Sequence, residues 1–160
     1  MGQIHYIKDA ICFAAGAVGA AIAQIYGGWS AAMTTLIICM AIDYITGLIV
    51  AGIFHKSRKT DDGKLNSLVG WKGLVRKGIT LLIILIAARL DLLLGTTLIK
   101  DTAVIAFIAN EVISIVENAG IIGIPIPKVI LNAISVLKDE ADAGSDTVEK
   151  LQKKKNETEE

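Results

Sequence analysis

The chain alternates long apolar stretches with short polar connections. Four stretches lie at about 9–25, 29–54, 78–99 and 102–124, and none of them contains a proline. An α-helix needs about 20 mainly apolar residues to cross the hydrocarbon core of a bilayer. The pattern therefore predicts an all-α membrane protein with four transmembrane helices. Three crossings are the alternative, if the first stretch does not span the membrane.

Two amphipathic segments flank these stretches. Residues 64–77 interleave apolar and polar positions, which predicts a short helix at the level of the lipid headgroups with Trp71 as an interfacial anchor. A second helix is predicted over 128–139, directly after Pro127. Residues 1–138 thus form a transmembrane domain. The mostly charged segment 139–160 is predicted to be a flexible, solvated tail.

The first apolar stretch is rich in alanine and glycine. Ala15, Gly19 and Ala23 recur every four residues, a spacing that allows helices to pack closely in a membrane. The stretch also resembles a secretory signal, with Lys8 before the apolar residues and Ala21-Ile22-Ala23 as a cleavage site. A retained transmembrane helix is our prediction, and the signal peptide is its alternative.

Basic residues predict the orientation in the membrane, because cytoplasmic loops carry an excess of lysine and arginine. The connection between the second and third stretches is strongly basic and is therefore predicted to be cytoplasmic. Four crossings then place both termini in the cytoplasm. The residues expected at the lipid interface are Arg58, Lys59, Trp71, Lys72, Arg76 and Lys77.

Composition narrows the possible functions. The 160 residues are 53% hydrophobic and carry no net charge, so no global positive field would attract nucleic acid. Both cysteines, Cys12 and Cys39, fall inside apolar stretches, which favours buried thiols over a disulfide framework. The sequence has no phosphate-binding loop, metal-ligand set or nucleophile motif, so we expect no cofactor, no metal and no enzymatic activity.

Charged and polar residues inside the apolar stretches are the most informative feature. A charged side chain at the centre of a membrane-spanning helix costs about 2.5–3.5 kcal/mol on insertion scales. We predict that these residues line a pore or join helices to one another. They are Asp43, Arg89, Asp91, Asn110, Glu111, Ser114, Glu117 and Asn118.

Five of these residues lie in the fourth stretch. At about 100° per residue, they fall within an arc of roughly 120° and form one polar stripe on the predicted helix. A private ion pair, such as Arg89 with Asp43 or Glu111, would explain one or two isolated charges. It does not account for a complete stripe, which is expected to face other helices, other subunits or water.

Three motifs stand out along the chain. They are Asp43-Tyr44-Ile45-Thr46-Gly47; Leu65, Ser67, Gly70 and Gly73 leading to Arg76-Lys77; and Asn110-Glu111-Val112-Ile113-Ser114-Ile115-Val116-Glu117-Asn118, followed by Gly120 and Gly123-Ile124-Pro125-Ile126-Pro127. Together they resemble the toxin-secretion and phage-lysis holin family of Gram-positive bacteria and their phages. The likeness runs from about residue 31 to residue 137. The third motif is the most specific part.

The resemblance implies a protein that accumulates in the bacterial cytoplasmic membrane, forms homo-oligomers and opens a lesion. An endolysin or a toxin would be its functional partner, because the lesion would release one of them. Two alternatives come from other functional classes. One is a small ion channel or transporter subunit, and the other is a membrane anchor that assembles other proteins through its charged tail.

Overall fold

A computed structural model describes the backbone of residues 2–55 and 67–159, and this part of the chain is helical. Its five helices are α1 (Gly2–Ile25), α2 (Ala31–Gly52), α3 (Ser67–Leu94), α4 (Leu98–Ile121) and α5 (Lys128–Glu159). The described residues contain no strand. The predicted all-α architecture is confirmed.

Two glycine-containing turns separate the helices at one end of the bundle. Gly27 and Gly28 follow α1 with φ angles of +68° and +100°, and Gly95 follows α3 with φ of +67°. These left-handed conformations favour glycine because it lacks a Cβ atom. The turn at Gly95 corrects two predicted boundaries, since α3 ends at Leu94 and α4 already begins at Leu98.

Helix α3 is longer than the sequence predicted. The separate interfacial helix expected over 64–77 is instead continuous with the apolar helix from Ser67 onward. Positions where a Cβ would stand on Gly70 and Gly73 lie 3.7 Å and 3.9 Å from the Tyr44 side chain. A methyl group at either position would make ordinary contact with Tyr44, so α2 and α3 pack side by side here, and this packing supports the helix across the predicted boundary.

Three helices form the centre of the molecule, with α2 and α4 parallel and α3 antiparallel to both. Lys100, near the start of α4, donates to the carbonyl of Tyr26, which lies just before α2. Further along both helices, Asn118 of α4 donates to Thr46 of α2. Lys77 of α3 reaches α2 and α4 between these two levels.

A small apolar core lies within this three-helix unit. Its buried members are Met33, Leu36, Met40, Ile84, Val104 and Ile108. They come from α2, α3 and α4, so burial of this cluster holds the three helices together. Leu137 of α5 packs against the same cluster.

Helix α5 runs back along α4. The predicted helix over 128–139 begins at the expected residue but continues to Glu159. It continues because the segment after Asp139 contains no proline and is rich in Glu, Lys and Ala, which favour helices. Contact with α4 extends at least to Gly144, which lies against Thr102.

Much of the apolar surface is exposed, as expected for a protein that lies in lipid. Three of the described helices are long and apolar enough to cross a membrane: His5–Ile25, Ala31–Gly52 and Leu98–Ile121. No residue in the most apolar part of the first helix is buried. The number agrees with the predicted alternative of three crossings. That alternative left out the first stretch, whereas the helix left out here is α3. Its apolar stretch contains Arg89 and Asp91, and Lys77 directly precedes it.

Asp91 at the end of α3 caps the next helix. Its carboxylate accepts hydrogen bonds from the backbone N–H groups of Ile99 and Lys100 at 3.0 Å and 2.8 Å, and from the Thr96 hydroxyl at 2.5 Å. Thr97 stands at the N-cap position but makes no side-chain cap bond. Asp91 therefore satisfies helix N-terminal donors that would otherwise be unpaired.

Asp91→Ala should destabilise the α3–α4 turn, because it leaves these buried donors without an acceptor. We expect the free energy of unfolding in detergent micelles to fall by roughly 2 kcal/mol. Unfolding can be followed by circular dichroism during titration with a denaturing detergent. Asp91→Asn, which retains one acceptor oxygen, should lose less. Equal losses for both variants would contradict the capping role.

Candidate functional site: a charged cluster between three helices

Lys77 joins the three central helices through two ion pairs. Its Nζ atom lies 2.8 Å from Asp43 Oδ2 on α2 and 2.5 Å from Glu111 Oε2 on α4. The side chains of Lys77, Asp43 and Glu111 are 15%, 11% and 15% exposed. One ammonium group on α3 is therefore shared by carboxylates from both neighbouring helices.

Asn118 and Thr46 extend this cluster along the helices. Asn118 Nδ2 donates to Thr46 Oγ1 at 3.1 Å and to Asp43 Oδ1 at 3.4 Å. Thr46 in turn donates to the backbone carbonyl of Asp43 at 3.0 Å. A Cβ on Gly47 would stand 3.9 Å from Asn118 Nδ2, so a small residue lets α4 come close here. We call Asp43, Thr46, Lys77, Glu111 and Asn118 the charged cluster.

The charged cluster lies near the middle of the candidate membrane spans. With a rise of 1.5 Å per residue, Asp43 is about 18 Å from the start of α2 and about 14 Å from its end. Glu111 is about 20 Å from the start of α4 and about 15 Å from its end. A membrane crossed by these helices would surround the cluster with hydrocarbon on its outer sides.

Burial makes each member of the cluster depend on the others. Removing ions from water is unfavourable, and only close opposite charges with good hydrogen bonds offset that cost. Lys77 supplies the opposite charge for Asp43 and Glu111, and Asn118 supplies a further donor. This arrangement is suited to holding the three helices in one register. If Lys77 lost these contacts, the carboxylates of Asp43 and Glu111 would become free to interact with other groups.

A second polar site lies at the end of the bundle that contains the α1–α2 and α3–α4 turns. Buried Lys100 donates from Nζ to the Tyr26 carbonyl at 3.4 Å, and the Tyr26 hydroxyl donates to the Leu81 carbonyl at 3.0 Å. Burial raises the pKa of the Tyr26 phenol further above neutral pH. A cavity of about 230 Å³ adjoins Tyr26, Asp91 and Lys100. The two hydrogen bonds tie the α1–α2 turn to α3 and to the start of α4.

The structure divides the predicted polar stripe of α4. Glu111, Ser114 and Asn118 are half-buried, whereas Asn110 and Glu117 are exposed. One edge of the stripe thus contacts α2 and α3, and the other edge lies on the surface of the molecule. This division follows from the 120° width of the stripe, which exceeds what one helix contact covers.

The position of Lys77 corrects the sequence analysis. Lys77 was expected at the lipid interface, and Arg89 was considered as the partner of Asp43 or Glu111. The structure instead places Lys77 between the two carboxylates and leaves Arg89 exposed. The signal in the sequence is that Lys77 lies one residue before the apolar stretch, close enough to turn inward once α3 is a single helix.

The other predicted interfacial residues have separate positions. Trp71, Lys72 and Arg76 are exposed on α3. Arg58 and Lys59 lie outside the described residues. Asp91 contacts the start of α4 and takes no part in the charged cluster. Within the described part of the chain, no group of His, Cys, Asp and Glu side chains could hold a metal ion.

Comparison with known proteins identifies the family. Residues 20–139 match the bacteriophage holin family. The matched region contains α2, α3 and α4, the whole charged cluster and the beginning of α5. The chain belongs to the bacteriophage holin family.

Similar proteins come from a phage and from Gram-positive bacteria. A probable holin of Bacillus phage phi105 is 33% identical, over 67% of this chain and 74% of the phage protein. An uncharacterised protein of Halalkalibacterium halodurans is 38% identical over 79% of this chain and 92% of its own length. An uncharacterised 14.9 kDa protein of Clostridium perfringens is 34% identical over 85% and 96%. No solved structure matches the chain.

Lys77→Met should destabilise the folded protein, because it leaves two carboxylates close together without their shared cation. We expect the free energy of unfolding in micelles to fall by roughly 3 kcal/mol. Arg76→Met is the matched control, since it removes a neighbouring exposed charge and should change stability little.

A compensating variant tests the same cluster. Neutralising both carboxylates, as Asp43→Asn with Glu111→Gln, should restore most of the stability that Lys77→Met loses. With both carboxylates neutralised, the repulsion between them disappears, and no unpaired buried charge remains when Lys77 is replaced. If Lys77→Met were no worse than Arg76→Met, the ion pairs would contribute nothing to the fold.

Proposed function

We propose that this protein is a non-enzymatic holin that forms homo-oligomers in the bacterial cytoplasmic membrane and opens a lesion through it. Membership of the holin family supports the general role. The observation that carries the proposal further is the charged cluster, in which Lys77 holds Asp43 and Glu111 at mid-height between three apolar helices. Such a cluster is costly in lipid and is retained where a polar surface is needed.

The packing supports four crossings. Because α2 and α4 run parallel, a chain that crosses the membrane in both must return between them, and α3 lies antiparallel beside both. Burial of Lys77 and Asp91 against neighbouring helices lets α3 cross although its composition is less apolar. With α1 as a further span, both termini lie on one side. The basic residues of segment 56–76 favour the cytoplasm for that side.

In the proposed mechanism, polar side chains exchange their contacts within one subunit for contacts with other subunits and with water. In a single subunit Lys77 pairs with Asp43 and Glu111, while Asn110 and Glu117 present the other edge of the stripe on the surface. Association of subunits brings these exposed edges together. The stripe of α4, with Asp43 and Arg89, then lines water inside a large assembly. The hidden cluster keeps small assemblies sealed.

The lesion would give a cell-wall hydrolase or a toxin its route out of the cytoplasm. The endolysin or toxin is thus a functional partner and need not bind this chain. Exposed Lys72, together with Arg58 and Lys59, would hold the basic segment at anionic lipid headgroups, and the long side chain of Arg76 would extend toward the same side. No nucleic acid or cofactor takes part in this mechanism.

Induced expression in a Gram-positive host should dissipate the membrane potential after a delay and then stop growth. The delay is expected because subunits must accumulate before assemblies open. A potential-sensitive dye records the onset, and release of a co-expressed cytoplasmic hydrolase reports the size of the lesion. Normal potential and growth despite confirmed insertion would refute the holin proposal. Discrete, ion-selective currents without hydrolase release would favour the small channel.

Glu111→Leu or Glu117→Leu should delay or abolish the loss of potential while leaving membrane insertion intact. Glu111 belongs to the charged cluster and Glu117 to the exposed edge, so the pair tests both sides of the stripe. Val116→Leu is the matched control, because it changes an apolar neighbour on the same helix. Killing by both variants on the unmodified schedule would make the stripe purely structural.

A further inference from the structure

Helix α5 covers α4 over most of its length. Ile134 and Ala141 are 9% and 7% exposed, and Leu137 packs against the apolar core. At the far end, the Cβ position of Gly144 lies 3.1 Å from Cβ of Thr102 and in closer conflict with the threonine hydroxyl. Only glycine fits there without a shift. Because Thr102 is near the start of α4, α5 reaches the end of α4 opposite to their connection.

The charges of α5 conflict with this position once α4 crosses a membrane. Lys138, Asp139, Glu140 and Asp142 are all exposed on the part of α5 that precedes Gly144. They lie beside a helix that is itself a candidate span. In a bilayer these side chains would face hydrocarbon, where four charges in little more than one helical turn are strongly unfavourable.

We propose that α5 is a clasp, which covers α4 before insertion and detaches when α4 crosses the membrane. The inference rests on the proposed function only in taking α4 as a crossing helix. After release, α5 lies on the side of the membrane where α4 ends. Its apolar face, with Val129 and Leu137, then rests among the lipid headgroups, and its charged half stays in water.

The connection between α4 and α5 is suited to this movement. Residues 122–127 are not helical, Gly123 has a φ of +85°, and prolines stand at 125 and 127. Proline prevents α4 and α5 from joining into one continuous helix. The clasp can therefore swing as a unit while both helices keep their internal hydrogen bonds.

The test compares the membrane sides of two positions that the clasp holds at the same end of α4. Thr97→Cys and Asp146→Cys each place one thiol at an exposed position, in a background of Cys12→Ser and Cys39→Ser. Cells are treated with a membrane-impermeant maleimide shortly after induction, before the potential falls. A parallel sample is permeabilised first, to measure total labelling.

Release predicts labelling of the two positions from opposite sides: Thr97→Cys in intact cells, and Asp146→Cys only after permeabilisation. If both cysteines were labelled from the same side of the membrane, the clasp proposal would be overturned, whether that side is the outside or the cytoplasm. The reverse pattern, with Asp146→Cys outside, would support release but contradict the proposed orientation. The result for the clasp is thus separate from the result for the holin's topology.

A disulfide tests whether release is needed for the lesion. Thr102→Cys with Gly144→Cys, in the same background, removes the threonine side chain that conflicts with a Cβ at position 144 and leaves the two Cβ positions 3.1 Å apart, so a shift of a few tenths of an ångström gives the spacing of about 3.5–4.5 Å that a disulfide needs. Oxidised protein added to vesicles should release trapped dextran about tenfold more slowly than the same protein after reduction. Each single-cysteine variant should release dextran equally in both conditions. Equal release by oxidised and reduced double variants would overturn the need for release.

Discussion

The shared ammonium group of Lys77 is the contact on which the arrangement of the three central helices depends. This side chain of α3 bonds to both α2 and α4, at 2.8 Å and 2.5 Å. Apolar packing brings these helices together but is not directional, and it would tolerate sliding by one turn. Two ion pairs from one nitrogen allow only a single register. The ion pairs thus explain how an apolar bundle acquires a defined internal order.

Polar contacts hold this bundle at two levels, one at an end and one at mid-height. At one end, Asp91 caps α4 and Lys100 reaches the α1–α2 turn, so the turns are joined by polar contacts. At mid-height the charged cluster joins the helices, with Asn118 of α4 bonded to Asp43 and Thr46 of α2. Helix α1 stays outside this network, and none of its residues from His5 to Ile25 is buried. A rigid three-helix unit with one separate apolar helix is well suited to repeated association in lipid.

In the proposed mechanism, one physical property serves both the sealed and the open state. Charges inside an apolar bundle are stable only while they are paired, so the cluster keeps a single subunit closed. The same groups become favourable in contact with water, which a large assembly can admit. The clasp formed by α5 adds a second requirement, because α4 is covered until insertion makes that arrangement unfavourable. Both features would contribute to a delay between accumulation and lysis.

Hydrophobic periodicity and residue spacing by themselves determined the helical architecture and the polar stripe of α4, and the resemblance of three motifs indicated the family. These depend on local pattern, and the confirmed helices and the match over residues 20–139 follow from it. Only the tertiary structure decided that Lys77, and not Arg89, neutralises Asp43 and Glu111. The partners are 34 residues apart on each side, so their contact depends on the register between helices. The fold-back of α5 was likewise decided by packing, because its own sequence is equally compatible with a free amphipathic helix.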